Sequence, residues 1–566
     1  MLRSLVLSTL IIGLISRVCS GSEFAAKPAD AQKSQAGQSL FSVQPKIVPN
    51  PIRRAPLVAI ANFETTKPVA VSIEVSDGTH QWRQNHDTAA SHHRIAIVGM
   101  RPDRVHQIQI HLLGTDHETL ETSAPYEFRT PKLPADFPPI KTTVAKASHM
   151  EPGVTLFPVT TWIDDKKAMA YGYLVAVDED GEVVWFLNTG SRMNDVRVLK
   201  NGHLLYIHAS FRYLLEVDLC GNVIRQWHAS TTTQSPRRQS IPVYVDSIHH
   251  DVVELPNGEL LTLATELCRS ESFPRSVTDQ AAGLGPAYLV CDKLVSFRPD
   301  NGWISESVSM YDRLDSKQFG YLSRLDFWTD HYDHRIVGQT CDWSHANGIA
   351  YDATDDTVIV SIRHLDCLMK LGRTDGQIHW MLGDPTGWGE SWQKHFLEPA
   401  GELDWPHHQH APQITSRGTL MLYDNGNFRA KPYAPKTLAA QNYSRVVEFQ
   451  IDEKKHQVQQ VWEYRGEDDE TFYCPFYGEA DLLPNTGNIL VTDGGHVEST
   501  TGIPQDVIPS HRQWARVFEI RDAKHQHEKV FEIVLDSGIG SRFGWSIYRS
   551  IRLPTLQDLS CRVMPF

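Results

Sequence analysis

From about Lys141 onward, short runs of alternating apolar and polar residues recur in two interleaved kinds. The first kind is a strand, a turn holding Asp or Asn with Gly, and a second strand that often carries Trp. It reads YLVAVDEDGEVVWF from Tyr173 and YLLEVDLCGNVIRQW from Tyr213, then LVSFRPDNGWISE from Leu294 and LMKLGRTDGQIHW from Leu368. RVVEFQIDEKKHQVQQVW from Arg445 and RVFEIRDAKHQHEKVFEI from Arg516 complete six copies. The second kind reads DVRVLKNGHLLYI, HDVVELPNGELLTL, NGIAYDATDDTVIV, HAPQITSRGTLMLY and EADLLPNTGNILVT. Period-two alternation bounded by turn residues marks strands, and each pair of units supplies about four of them. Six such sets predict an all-β chain with a six-bladed β-propeller over residues 141–566, where radial repetition shields the sheet edges. Two separate sandwiches or an irregular barrel are the alternatives. The longer spacings, at residues 268–291, 319–341 and 385–405, are insertions.

Ahead of the repeats the pattern differs. Over residues 46–130, PLVAIANFET, VAVSIEVSD, HRIAIVGM and VHQIQIHLLGT are strand-sized and bounded by turns, which predicts a small N-terminal β-sandwich of fibronectin or immunoglobulin type. The turn Gly99-Met100-Arg101-Pro102 suits a fibronectin-type connection. Residues 131–139 (PKLPADFPP) read as a stiff linker. Residues 21–45 lack an apolar period and read as a disordered linker. Residues 1–20 read as a signal peptide: Arg3, an apolar run from Leu5 to Ile15, then Val18-Cys19-Ser20 for cleavage. A lipid anchor at Cys19 is disfavoured by Arg17 and Val18 before it. The expected destination is the periplasm or the exterior, without a membrane span.

A length of 566 residues exceeds one ordinary core, in keeping with two modules. The net charge of −14 argues against a nucleic-acid surface. Export permits disulfides among the eight cysteines; Cys268 with Cys291 is the first expectation and Cys341 with Cys367 the second. No C-x-x-C pair marks a structural zinc site.

In a closed ring, equivalent strand ends converge on the central channel. At the start of three successive second-kind units stand His249-His250-Asp251, His345-Ala346-Asn347 and His407-His408-Gln409-His410. Three histidines could hold a metal. Arg363, eighteen residues past His345, opposes that, because a fixed cation disfavours a dication and favours an anion with several oxygens. Arg363 with several imidazoles suits a sulfate or phosphate ester, with one neutral imidazole as nucleophile. No nucleotide-binding loop is present. The aromatic residues Trp388, Trp392, Phe396 and Trp405 either wall the pocket or pack within the propeller.

These residues resemble the bacterial arylsulfate sulfotransferase family. The matching motifs are HHD before LPNG, H-x-N with its Arg eighteen residues later, W-x-L-G, and Gln-His followed by the strand ending in YDNG. YSRVVEF, LPNTGN and WSIYRSIRL also fit. The resemblance covers most of residues 46–566. It implies a sandwich before a six-bladed propeller. It also implies ping-pong transfer of a sulfuryl group from a phenolic sulfate to another phenol, through a sulfohistidine and without a nucleotide donor (PAPS) or metal. His410 would be the nucleophile, with His250, His345 and Arg363 as the other catalytic groups. Asn347 and His408 would bind substrate, and the family suggests a homodimer. His249 competes with His250, and His407 and His408 with His410. A metal-dependent hydrolase or lyase and a non-catalytic ligand-binding propeller are the competing functions.

Overall fold

The computed structural model describes residues 39–163, 171–466, 471–506, 512–523, 526–541 and 543–559. The signal peptide, Cys19 and most of the expected linker lie outside the described residues. The linker ends earlier than expected, because Phe41–Pro49 is already a strand, with Phe41 and Ile47 in the sandwich core.

The sandwich is built on Ala59–Ser76, which pairs with Phe41–Pro49, Gln81–Ile97 and Val105–Leu113. The alternation suggested two strands over this stretch; it is one strand of 18 residues, bent by register shifts near Val69. Its inward side chains (Phe63, Val71, Ile73, Val75) close one core. The Gly99-to-Pro102 turn joins the two modules: Arg101 Nε donates to Asp178 at 2.8 Å and Nη2 to Asp180 at 2.8 Å.

Six further sheets follow. The first-kind units are the outer hairpins and the second-kind units the inner pairs. Blade II runs Met193–Val198, Leu204–His208, Tyr213–Val217, Val223–Ala229. Blade III begins with His249–Glu254 and Leu260–Pro274, blade IV with Ala346–Asp352 and Thr357–Ile362. Blade V begins with His410–Ile414 and Leu420–Asp424, blade VI with Glu479–Leu482 and Ile489–Glu498. From blade II to blade VI, the first strand of each blade lies against the first strand of the next. Blade I has no second-kind unit of its own. Its inner positions are filled by Val154–Ile163 and by Phe543–Ile547 from the far end of the chain, while Ile140–Ala145 completes blade VI. The ring is thus latched twice.

Three of the recurring outer-strand tryptophans bridge blades, whereas Trp303 is exposed. Trp185 Nε1 donates to Leu219 O at 2.8 Å, Trp227 Nε1 to Pro299 O at 2.9 Å and Trp380 Nε1 to Glu453 Oε1 at 2.9 Å, each reaching into the following blade. Each indole fills an inter-blade gap and satisfies its one donor there.

The disulfide expectation is corrected: Cys268, Cys291, Cys341 and Cys367 are all free. Residues 268–291 extend a hairpin, with Cys268 opposite Leu289, Cys291 opposite Glu266 and one register shift between Ser270 and Phe273, so the ladder itself holds the insertion. Among the described residues no helix is long and apolar enough to cross a membrane.

Candidate active site

Four of the histidine- and arginine-bearing positions converge at the start of the inner strands of blades III, IV and V. The His250 and His345 ring centroids are 4.8 Å apart. His345 stacks on His364 at 4.5 Å and 20°. His410 feels the charges of Arg363 and His345, and His250 those of His345, His410 and Arg363. The three histidines do not share one register position, as the repeat phase implied. His410 pairs with Tyr423 and His249 with Leu263, three residues before the next paired position in each case, while His345 precedes its first paired residue, Ala346. Left-handed backbone at His250 (φ 57°), His345 (φ 49°), His408 (φ 55°) and Ala411 (φ 47°) accommodates the offsets. Such conformations cost roughly 1–3 kcal/mol each and cluster at functional sites.

Arg363 follows the strand Thr357–Ile362 in a short turn. It is 3% exposed. Nη1 donates to His364 Nε2 at 3.0 Å and Nη2 to Pro475 O at 3.2 Å. Among the described residues it forms no ion pair with a carboxylate. Burial pulls its pKa down to about 10, against the opposing charge of Asp342. A buried cation without a counter-ion costs several kcal/mol and is a receptor for an anion. Arg549, also in the ring, is the opposite case. Its Nε meets Asp195 at 2.7 Å, and its two amino groups meet Asp251 at 3.2 Å and Glu479 at 3.4 Å.

The imidazoles are held in defined states. His364 Nδ1 donates to Asp342 O at 2.7 Å, so its Nε2 accepts from Arg363. His345 Nδ1 meets Asp342 Oδ2 at 2.6 Å. His410 Nδ1 lies 2.6 Å from Asn425 Oδ1. Burial, reinforced by positive neighbours, holds His250, His364 and His410 well below the usual 6.5, so each is neutral near pH 7. His249 stands behind His250: its Nδ1 is 2.7 Å from His250 Nδ1, and its Nε2 is 3.3 Å from Asp292, which Ser344 and Ala346 anchor.

The competing histidines are separated by this geometry. His408 sits behind His364 at 6.0 Å, with Nδ1 3.0 Å from Asp366, one layer from Arg363. His407 faces Asp366 as well. Asn347 does not touch His345 in any hydrogen bond: its Nδ2 donates to Gln409 O at 2.9 Å, bracing the residue before His410. The aromatic wall is also different. Trp388 and Phe396 pack on each other at 5.3 Å inside a blade core, Trp392 donates to Arg313 O, and Trp405 borders another core. The rings at the site are Phe211, which stacks on His250 at 5.7 Å and 15°, and Phe327, 5.7 Å from His345, with Trp328 between them. Phe327 is 51% exposed, at the mouth. His364 and Asn425 stood in view, one beside Arg363 and the other inside YDNG. Phe211 and Phe327 had no local signal.

Among the described residues two clusters have metal-ligand composition, Asp342/His345/His364 and Cys474/Asp493/His496. Both are already engaged. Arg363 occupies His364 Nε2, and Asp493 is held by Tyr423 at 2.7 Å and Arg516 at 2.6 Å. A guanidinium on a would-be ligand atom does not fit a metal triad.

Fold and site together define a ring of β-sheets that presents to an anion neutral imidazoles and a guanidinium with no carboxylate partner among the described residues. A family model for the arylsulfotransferases (ASST) matches residues 141–546, and one for the arylsulfotransferase Ig-like domain matches residues 46–131. The chain belongs to the arylsulfotransferase family. Two similar curated proteins are both called arylsulfate sulfotransferase AssT. That of Escherichia coli O6:H1 is 29% identical over 337 residues, 53% of this chain and 54% of its own. That of Lelliottia amnigena is 26% identical over 341 residues, 54% of each. The chain spans about half the length of the curated relatives it matches. A solved β-propeller domain, of Cps50 (Swd1) from Myceliophteria thermophila, covers 72% of this chain and 89% of its own at a TM-score of 0.27 and 10% identity, too loose an overlap to add to the ring seen here.

Proposed function

We propose that this protein is an exported arylsulfate sulfotransferase that moves a sulfuryl group from a phenolic sulfate to another phenol, with no nucleotide donor. The observation that carries the reading is Arg363, a buried guanidinium with no carboxylate partner among the described residues, set among neutral imidazoles. Its free hydrogen-bonding capacity suits the oxygens of a sulfuryl group. Phe211 and Phe327 line the same place and suit an aryl ring. The lone pair of neutral His410 attacks sulfur; the S–N bond forms as the bond to the aryl oxygen breaks. His345, whose Nδ1 meets the Asp342 carboxylate, is placed to hand the departing phenolate a proton, while neutral His250 supports the oxygens by hydrogen bonding. The acceptor phenol returns a proton to His345, its oxygen attacks sulfur, and the S–N bond breaks with its electrons going back to His410. The aromatic rim limits water, which would otherwise turn transfer into hydrolysis. The apolar run of residues 5–15 supports export.

The test is direct. Purified protein with a chromogenic aryl sulfate should release the chromophore faster as phenol is added. With donor alone, mass spectrometry should find one SO₃ on His410. His410→Asn should lose both the label and turnover, by about a thousandfold or more. Full turnover in that variant overturns the assignment.

A further inference from the structure

Asn425 follows directly on the inner strand Leu420–Asp424 of blade V and is fully buried. Its two amide hydrogens are both committed: Nδ2 donates to Cys474 O and to Tyr477 O, each at 2.8 Å. Carbonyl oxygens only accept, so the side chain cannot be turned end for end without losing both bonds. Its Oδ1 therefore faces His410 Nδ1, at 2.6 Å, as an acceptor and nothing else. The segment that carries Cys474 is itself tied to this strand end: Ser444 Oγ accepts from Cys474 N at 2.9 Å and gives its one proton to Asn425 O at 2.8 Å, with Cys474 O farther off at 3.3 Å. The brace joins the end of one inner strand of blade V to the segment leading into blade VI.

We propose that Asn425 is the positioning residue for the nucleophile: it keeps the imidazole proton on Nδ1 of His410 throughout the reaction and so makes Nε2 the atom that carries the sulfuryl group. The inference rests on the transfer reading above. Its chemistry follows from the proton count. In the first step the Nε2 lone pair forms the S–N bond and the aryl oxygen leaves with its electrons; the ring, still protonated at Nδ1, becomes an N-sulfo-imidazolium. In the second step the acceptor oxygen attacks sulfur and the S–N electrons return to Nε2, regenerating the neutral Nδ1–H imidazole. No proton moves on His410 in either step. Without a proton on Nδ1 the second step would have to expel an imidazolate, a far poorer leaving group. A neutral amide suits the task better than a carboxylate. It accepts the Nδ1–H bond without adding a negative charge that would stabilise the imidazolium intermediate and slow its discharge.

The test uses the full-length protein, with Asn425→Ala and Asn425→Asp against wild type. In wild type, NMR of isotope-labelled histidine should show the Nδ1–H tautomer for His410. Asn425→Ala should show a mixture, a kcat lower by about a hundredfold or more, and a KM within about threefold. Asn425→Asp retains an acceptor but adds a charge. The acid limb of its kcat profile should move up by about one pH unit or more, and sulfo-His410 should accumulate during turnover. A folded Asn425→Ala protein with kcat within threefold of wild type overturns the proposal. So does an Asn425→Asp protein whose acid limb and intermediate level match wild type, which covers the case where the alanine variant does not fold. If wild type takes up no SO₃ on His410 from donor alone, the transfer reading itself fails and this proposal with it. Label on wild type with unchanged variants removes only the role of Asn425.

Discussion

Two buried arginines of one ring differ only in their company. Arg549 touches three carboxylates and is structural; Arg363 has none among the described residues and is the proposed receptor. The same logic separates the histidines. His408 has Asp366 beside it, whereas His410 has the neutral Asn425. Burial and positive neighbours hold His250, His364 and His410 well below 6.5. The unfolded chain protonates these groups near pH 6.5 and the folded chain resists, so their contribution is intact above that pH. It is lost as pH falls below it, by about 1.4 kcal/mol per pH unit for each group. Asp481, pushed up to about 6 by burial, acts in the other direction, taking its proton earlier in the folded chain than in the unfolded one. His364→Asn should therefore flatten the acid slope of unfolding free energy by about one proton between pH 6.5 and the folded value, as read from urea melts across pH. The same neutrality places the acid limb of sulfuryl uptake from donor alone below pH 6.5, measurable in a single turnover.

The inner strands are joined by one polar side chain after another. Asp195 accepts from Val252 N at 3.3 Å, Asp251 from Ile349 N at 2.9 Å, Asn347 donates to Gln409 O, and Gln413 donates to Asp481 at 2.7 Å. Each links a blade to the next, and each sits beside the bulge that turns a site residue inward. Gly348 is the tightest point of this arrangement. A Cβ there would lie 2.8 Å from Pro412 Cδ and 3.0 Å from Ala411 N, against the residue following His410. Gly348→Ala should push the start of blade V outward. The expected result is a kcat loss of about tenfold or more, with stability lowered by about 1–3 kcal/mol, checked by kinetics beside denaturant melts. The bulges were not legible in the repeats. Alternation shows which residues face inward, but a register shift depends on the partner strand, so the pattern alone leaves His249 and His250 as competitors.

At the scale of the molecule the ring depends on its last described turns. Phe543–Ile547 fills the inner place of blade I, and Arg549 just beyond it ties carboxylates of blades II, III and VI together. Removing that cation leaves buried charges uncompensated. Arg549→Met should destabilise the protein by about 3–5 kcal/mol in urea melts, although the side chain touches no part of the proposed chemistry. The six-and-five count of repeat units already contained this closure, since the sixth inner pair was missing from the alternation. It could not be assigned, because Val154–Ile163 and Phe543–Ile547 are nearly four hundred residues apart and neither carries the turn that marks a hairpin. By itself the sequence determined what local patterning controls: the two modules, the strand repeats, and the histidines and arginine at their ends. Those follow from period-two alternation and turn chemistry, which act over a few residues. Only the tertiary structure decided which nitrogen of His410 is free, why Arg363 has no carboxylate partner among the described residues, and which aromatic rings line the mouth. These depend on side chains brought together from different blades, and no local spacing encodes such distances.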